Sequence, residues 1–454
     1  MASMGHTRLA WVIMQVIDPA RGVADLCSAL VAIDTTNRAR GDAVGEREAA
    51  ELVARVLADE AGVEPVLLEP APRRTSVVAR VPGSDPGLGA LLVHGHLDVV
   101  PADPAGWAVP PFSGAVRDGY VWGRGAVDMK DACATVLAVL RSWSARGVRP
   151  RRDVVVAFVA DEETGGAYGA EWLVAEHRDL FDGCAAAIGE GGGFPHPAGG
   201  VRFYPVGTAE RGTLHLRLTA TGRGGHGSRP NQDNAVVALV EALARLARHR
   251  FPVRLTPTVR EYLLRSAEAL GVPADLGSDT GVDATIERLG HAGRLAAGTV
   301  RHTMTPTALA AGGAVNVIPP VAEAMVDTRV LPGGMAEVTA ALDELLGQRV
   351  RYEVVAQSDP VQAPIDSPWF AAMADALRAG DPDAVVVPYC LGGGTDAKAF
   401  SALGIPCYAF APLGPAPDGD GYDHRAMAHA VDERVPISGL EFGARVLDRF
   451  LLRV

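Results

Sequence analysis

The sequence predicts an α/β protein whose mixed, mainly parallel sheet carries helices on both faces and is interrupted by a smaller α+β domain. Three observations carry that prediction. Short, almost wholly apolar runs at 89–94 (GALLVH), 154–160 (VVVAFVA) and 184–188 (CAAAI) are bounded by turn residues, as in strands covered on both faces. Near residue 209 the pattern switches to strict alternation, TLHLRLTAT at 213–221, the mark of a strand with one solvated face. After Pro332-Gly333-Gly334 the helix–strand alternation resumes. The predicted division is 1–208 with 328–454 for the larger domain and 209–327 for the insertion, a usual domain size.

Taken in order, residues 43–58 (AVGEREAAELVARVLA) place apolar side chains at helical spacing. A second helix is predicted over 129–145, between the first two buried strands. In the insertion a helix at 234–248 follows the alternating strand, and another strand is predicted at 322–330. The stretch between them reads as less regular, and 262–297 carries no chemical signature. The chain then gives a helix ending at 346, a strand at 352–356, a helix at 368–378, strands at 385–388 and 407–411, and an amphipathic helix at 437–452.

Bulk properties exclude several classes of function. The 454 residues, 48% hydrophobic and 21% charged, are enough for more than one core. A net charge of −12 argues against a nucleic-acid partner. The five cysteines are odd in number, scattered and free of any C-x-x-C pair, which suits a reducing compartment. Residues 9–17 form a short apolar stretch behind Arg8, but Gln15 breaks it, Asp18 ends it, and no small-x-small cleavage site follows. No run reaches the length of a membrane span. The expected protein is soluble and cytoplasmic.

Five side chains of metal-ligand type fall at strand ends or in glycine-rich turns: His96, Asp128, Glu163, Glu190 and His429. A hydrolytic two-metal site needs such a set, with one carboxylate shared and a His and an acid for each cation. His96 and Asp98 lie on one side of an extended segment, so Asp98 can fix the imidazole tautomer; a solvated strand end fits the pair equally well. Asp128, in Gly-Arg-Gly-Ala-Val-Asp-Met-Lys, can bridge two cations or cap the following helix. Asp161-Glu162-Glu163 follows a buried strand, where three ionised acids would repel. Neighbours on an extended segment face opposite ways, which gives Glu163 to a metal and leaves Glu162 as general base. Glu190 sits among glycines, and His429 precedes Asp432-Glu433. His94-Gly-His96-Leu-Asp98 also scans as H-x-H-x-D, which leaves a TIM-barrel amidohydrolase as an alternative, alongside a catalytically silent binding protein.

With His-Leu-Asp-Val-Val-Pro (96–101), the Gly-Arg-Gly-Ala-Val-Asp-Met-Lys run (123–130), Asp-Glu-Glu-Thr-Gly (161–165) and the terminal His-x-x-Asp-Glu (429–433), the chain resembles the M20 family of zinc peptidases and amidohydrolases over residues 22–452. Pro110-Pro111-Phe112-Ser113-Gly114 and the long insertion resemble its carboxypeptidase S and N-acyl amino acid hydrolase branch. The resemblance implies a zinc-exopeptidase-like catalytic domain and a lid or dimerisation domain. It implies Asp128 as the bridge, His96 with Glu190 on one metal, Glu163 with His429 on the other, Asp98 orienting His96, and Glu162 as base and later acid. It further implies that His226 in Gly-Gly-His-Gly-Ser polarises the scissile carbonyl, with Asn316, Arg329, Gly393, Gly394 and Thr395 gripping a substrate carboxylate. The implied cofactors are two Zn²⁺, replaceable by Co²⁺ or Mn²⁺. The implied substrate is an N-acyl amino acid or short peptide, and the implied assembly is a homodimer through the lid unless the longer insertion shields its edge.

Overall fold

The computed structural model describes residues 18–38, 42–417 and 419–454, so the apolar stretch at 9–17 lies outside the described residues. The chain divides into two compact units. The first runs up to Thr208 and takes in Ala363–Pro388 and Thr395–Val454; the second is Ala209–Gln362 with Tyr389–Gly394.

The first unit is built on a mixed sheet. Its strand order is His196–Ala198, Val201–Glu210, Cys407–Ala409, Cys184–Gly189, Ala90–His96, Val154–Val159, Arg74–Val81, Pro65–Ala71. The four central strands, Cys407–Ala409 to Val154–Val159, are mutually parallel, and antiparallel strands flank them on both sides. Ala90–His96 and Val154–Val159 are buried at every residue, as their apolar runs require of strands with both faces covered. On one face Leu91, Val93, Val154, Val156 and Phe158 join the core formed with helices Val23–Val31, Lys130–Arg146, Pro368–Gly380 and Ile437–Arg453. On the other, Phe400 of helix Ala397–Ser401 meets the His94 ring at 5.0 Å and Phe181 at 5.1 Å. Helices therefore cover both faces and the strands form no closed barrel.

Parallel pairing has one consequence for chemistry: His96, the turn after Val159 and the turn after Gly189 all leave the sheet at the same edge, with His96 opposite Val159 in register. The predicted 43–58 helix begins later, at Arg47, because Asp42–Ala43 pairs back on Asn37–Arg38. All five cysteines are free thiols, and among the described residues no helix is long and apolar enough to cross a membrane.

The second unit is a four-stranded antiparallel sheet in the order Thr303–Ala311, Val321–Val330, Gly212–Thr221, Val350–Ser358, with its own core. Leu214, Leu216, Leu218 and Ala220 alternate inward along Gly212–Thr221 against helices Ala235–Arg248 and Met335–Leu346. Asn234 caps the first of these, its side chain accepting the Val236 and Val237 N–H groups. The unit extends past the predicted limit of 327, which falls inside Val321–Val330. Val350–Ser358 pairs with Gly212–Thr221 from Ser358 to Val350, and Val338, Leu342 and Leu346 fill the same core. The stretch without a sequence signature holds three helices, Pro257–Leu270, Asp279–Arg288 and Gly293–Ala297, and a hydrogen bond from buried Tyr262 Oη to Ala292 O at 2.6 Å ties the first to the start of the third.

Phe158 is 1% exposed and sits mid-strand. Phe158→Ala is expected to cost about 3–5 kcal/mol, read as a lower denaturant midpoint with unchanged slope; a midpoint within error of wild type would place Phe158 outside the cooperative core.

Candidate metal centre

His96 ends a buried strand and is itself fully buried. Its Nδ1 lies 2.9 Å from the Asp98 main-chain oxygen, and its Nε2 lies 3.0 Å from Asp128 Oδ1 and 3.6 Å from Glu190 Oε2. In the neutral ring the Nδ1–H donates to that carbonyl, which turns the Nε2 lone pair toward the carboxylates, as a metal ligand must. The orienting atom thus differs from the one expected. The Asp98 carboxylate stands 3.6 Å from Nδ1 and instead accepts the Glu162 N–H at 3.1 Å, the Glu163 N–H at 3.2 Å and Asn37 Nδ2 at 2.8 Å.

Glu162 and Glu163 do not lie on an extended segment. They form a single 3₁₀ turn, Glu162–Thr164, entered through Asp161 at φ 72°. The Asp98 carboxylate, bonded to two successive N–H groups of this turn, pins its backbone. Behind the turn lies a polar cluster that sequence reasoning missed. Asp161 Oδ1 accepts Arg74 Nη2 at 2.6 Å, Asn37 Nδ2 at 3.0 Å and the Thr164 hydroxyl at 2.5 Å, while Arg74 Nη1 meets Glu46 at 3.0 Å. Burial, with Asp98 nearby, pushes Glu46 up to about 8. Lone residues far apart in the chain give no local pattern by which such a cluster could be found.

Asp128 is not a helix cap: the next helix starts at Lys130, with Met129 at the cap position and no side-chain cap bond. Its two oxygens divide, Oδ1 toward His96 and Oδ2 3.2 Å from His429 Nε2. His429 Nε2 also lies 3.1 Å from Glu163 Oε1. Two overlapping triads result, His96–Asp128–Glu190 and Asp128–Glu163–His429, each with its ligand atoms within 4.8 Å of one another.

What places Asp128 and His429 is Glu433, fully buried. Its Oε1 accepts the Val127 N–H at 2.8 Å and the Asp128 N–H at 3.3 Å, and its Oε2 pairs with Arg124. Arg124 also donates to the main-chain oxygens of His429 at 3.1 Å and Ala430 at 3.2 Å. Glu433 thus serves the site through the main chain rather than through the His429 ring, and Asp432 accepts the Ala108 N–H at 2.7 Å.

The electrostatics ask for cations. Burial, together with Asp128 and Glu163, pushes Glu190 up to about 7 despite His96. Burial and Glu190 hold Glu162 well above the carboxylate range. Hydrogen bonds to Asp128 and Glu163 raise His429 to about 10. Burial alone would lower His96, but Glu190 and the bonded carboxylates raise it overall. Carboxylates this close repel one another when ionised, and bound protons or cations relieve that repulsion. The donor set, one imidazole and one carboxylate per triad plus the shared Asp128, contains only nitrogen and oxygen and suits Zn²⁺. His94 takes no part, its ring lying over Gly189 and Phe400.

The residues expected to face substrate belong to the second unit, apart from Thr395, whose hydroxyl accepts the Ala397 N–H at 3.1 Å. His226 is exposed on the short strand Gly225–His226, and the Ser228 N–H donates to its Nδ1 at 3.2 Å, which puts the neutral ring's proton on Nε2. The Asn316 main-chain oxygen accepts the Gly227 N–H at 2.8 Å. Arg329 is already forked onto Asp327, Nε to Oδ1 at 2.8 Å and Nη2 to Oδ2 at 3.1 Å. Gly393 and Gly394 are exposed.

Residues 92–453 match the family model for peptidase family M20/M25/M40. The chain is similar to the N-fatty-acyl-amino acid synthase/hydrolase PM20D1 of Homo sapiens, 29% identical over 378 residues covering 80% of this chain and 73% of the relative. Aminoacylase-1 of Homo sapiens is 28% identical over 393 residues, 85% of this chain and 84% of the relative. Among solved structures, an M20 family metallo-carboxypeptidase, Sso-CP2 from Sulfolobus solfataricus, superposes with TM-score 0.69 at 18% identity over 94% of this chain and 97% of that one. A Bacillus subtilis dinuclear metal-binding peptidase, YXEP, gives 0.64 at 14% identity over 96% and 98%.

Replacing Glu433 leaves Arg124 buried without its counter-charge, which typically costs about 3–5 kcal/mol. Glu433→Gln is therefore expected to lower the melting temperature and to weaken zinc uptake in equilibrium dialysis. Unchanged melting and uptake would refute the role given to the pair.

Proposed function

The chain belongs to peptidase family M20/M25/M40 and is a hydrolase of amide or peptide bonds; from that premise we propose that it cleaves N-acyl amino acids or short peptides bearing a free carboxylate, at a centre of two zinc ions held by His96, Asp128, Glu163, Glu190 and His429. The observation that carries the reading is the division of Asp128, one oxygen toward each triad. The names of the two human relatives, an N-fatty-acyl-amino acid hydrolase and an aminoacylase, support the substrate class.

Two bound divalent cations supply Lewis acidity, lowering the pKa of water and polarising a carbonyl, and cobalt or manganese would fit the same donors. The chain's own residues do the rest. Glu162, on a turn pinned by Asp98, takes a proton from the attacking water onto its carboxylate oxygen. The new bond joins the water oxygen to the carbonyl carbon, the C–N bond breaks, and Glu162 returns the proton to the departing nitrogen. The products are a carboxylic acid and an amine, and no other reactant is needed.

For the second unit we assign His226 Nε2–H to polarising the carbonyl oxygen, and Asn316, Arg329 and the Gly393-Gly394-Thr395 turn to the substrate carboxylate. With one N–H each of Arg329 Nε and Nη2 engaged by Asp327, the two Nη1 donors and the second Nη2 donor are those assigned to substrate. We also assign a homodimer to this unit. In its support, the edge strand Thr303–Ala311 is exposed from Thr305 onward and helix Ala235–Arg248 exposes Val237 and Val240. Sedimentation equilibrium at micromolar protein should give twice the chain mass, and a monomer mass would overturn this assignment.

Zinc-loaded protein should hydrolyse a panel of N-acyl amino acids and dipeptides, and a chelator should abolish the activity. Glu162→Gln should keep about two zinc ions per chain by mass spectrometry while turnover falls by about two to four orders of magnitude. Full metal with substantial turnover in that variant would dispose of Glu162 as the base, and activity unaffected by chelator would dispose of the metal centre.

A further inference from the structure

Arg211 has no part in the reading above, yet its guanidinium makes three directed contacts in and around the segment assigned to the substrate carboxylate. Its Nε and Nη2 both donate to Gly392 O, at 3.1 and 2.8 Å, and its Nη1 donates to Gly298 O at 2.8 Å. Its main-chain N–H donates to Leu391 O at 3.2 Å. Side chain and main chain together clasp the segment that leads into Gly393 and Gly394, and all of these residues lie in the second unit.

An arginine on main-chain oxygens is often only a clasp. Arg245 plays that part at the end of helix Met335–Leu346, donating to Leu345 O at 2.7 Å and Leu346 O at 3.2 Å. Two features set Arg211 apart. The first is the segment it holds. A Cβ on Gly392 would stand 3.3 Å from Arg211 Nη2, so glycine there lets the guanidinium in. Gly393 is different: it does not have a positive φ, and a Cβ there would meet nothing within 4 Å. Neither conformation nor packing demands glycine at 393, which leaves an uncovered backbone that a ligand can approach closely. The second feature is charge. Among the described residues the side-chain hydrogen bonds of Arg211 go to carbonyls, Arg329 is near enough to oppose its charge, and Asp327 is forked onto Arg329. Two guanidinium groups beside an open glycine turn are an arrangement for an anion.

We propose that Arg211 is a positioning residue for the substrate carboxylate. By holding Gly392 O it fixes the Gly392–Gly394 turn, and through Gly298 O it ties that turn to the helical segment Pro257–Ala297. The segment without a sequence signature thereby acquires a function, as the support that sets the geometry of the carboxylate turn. This rests on the reading that Gly393 and Gly394 face the carboxylate.

The test compares wild type with Arg211→Lys, which keeps the charge and loses the fork, and with Gly392→Ala, which keeps Arg211 and pushes against it. For an N-acyl amino acid both should raise KM about tenfold or more with kcat within about twofold, the loss of one charge-assisted fork. For the same substrate with its carboxylate capped as an amide, KM should match wild type. Hydrogen–deuterium exchange in Arg211→Lys should quicken in peptides covering 389–395 and 293–299 together. Faster exchange with unchanged KM would reduce Arg211 to a structural clasp and overturn the proposal. Unchanged exchange would break the link to the helical segment. Should wild type cleave no N-acyl amino acid, the substrate reading falls on its own, and the exchange comparison still decides whether Arg211 holds the turn.

Discussion

The buried ion pair of Arg124 and Glu433 is the constraint on which the geometry of the candidate metal centre depends. Taking two charges out of water is expensive, and their attraction offsets that only when the remaining donors and acceptors are also satisfied. Here the main chain of the site itself takes up Glu433 Oε1 and both terminal nitrogens of Arg124, leaving only the Arg124 Nε without a partner among the described residues. Glu433 holds the N–H groups of Val127 and Asp128, and Arg124 holds the carbonyls of His429 and Ala430. One pair thereby fixes the shared carboxylate and a histidine that lies 305 residues from Arg124 in the chain. Because Asp128 and His429 are held through backbone atoms, their side chains are left to face the other candidate ligands.

The other three ligands come from a different source. His96, Glu163 and Glu190 stand at the carboxyl edge of parallel strands, where the sheet delivers successive loops to one side. The sheet alone would give an acid-rich edge without a second histidine. The returning C-terminal segment completes it, and the Asp98 carboxylate and the Glu46–Arg74–Asp161 cluster stiffen the turn between them.

Much of this was legible in the sequence. Runs such as VVVAFVA report burial on two faces directly, and the acids that follow them were correctly placed at strand ends because topology, not side-chain detail, decides where a strand ends. Less legible was anything set by backbone conformation after the strand. The 3₁₀ turn at Glu162–Thr164 depends on a left-handed Asp161, and the His96 tautomer on a main-chain oxygen rather than on the Asp98 carboxylate. The Arg124–Glu433 pair and the Arg74 cluster were out of reach because their members are single charged residues far apart in the chain. The limit of the second unit is hard to read from sequence for another reason. Helix Met335–Leu346 and strand Val350–Ser358 resume an alternating order that either unit could use, and only pairing with Gly212–Thr221 assigns them.

The strand Cys407–Ala409 sits between Cys184–Gly189 and Val201–Glu210, parallel to one and antiparallel to the other. Its place in the sheet therefore stays empty on the ribosome while the whole second unit is being made. During that interval Cys184–Gly189 presents an unpaired, apolar edge, the feature through which nascent chains associate wrongly. The first unit closes only after Cys407–Ala409 emerges, and His429 arrives shortly after it. Synthesis thus orders events: the second unit, contiguous but for Tyr389–Gly394, can fold early, and the candidate metal centre is completed after it.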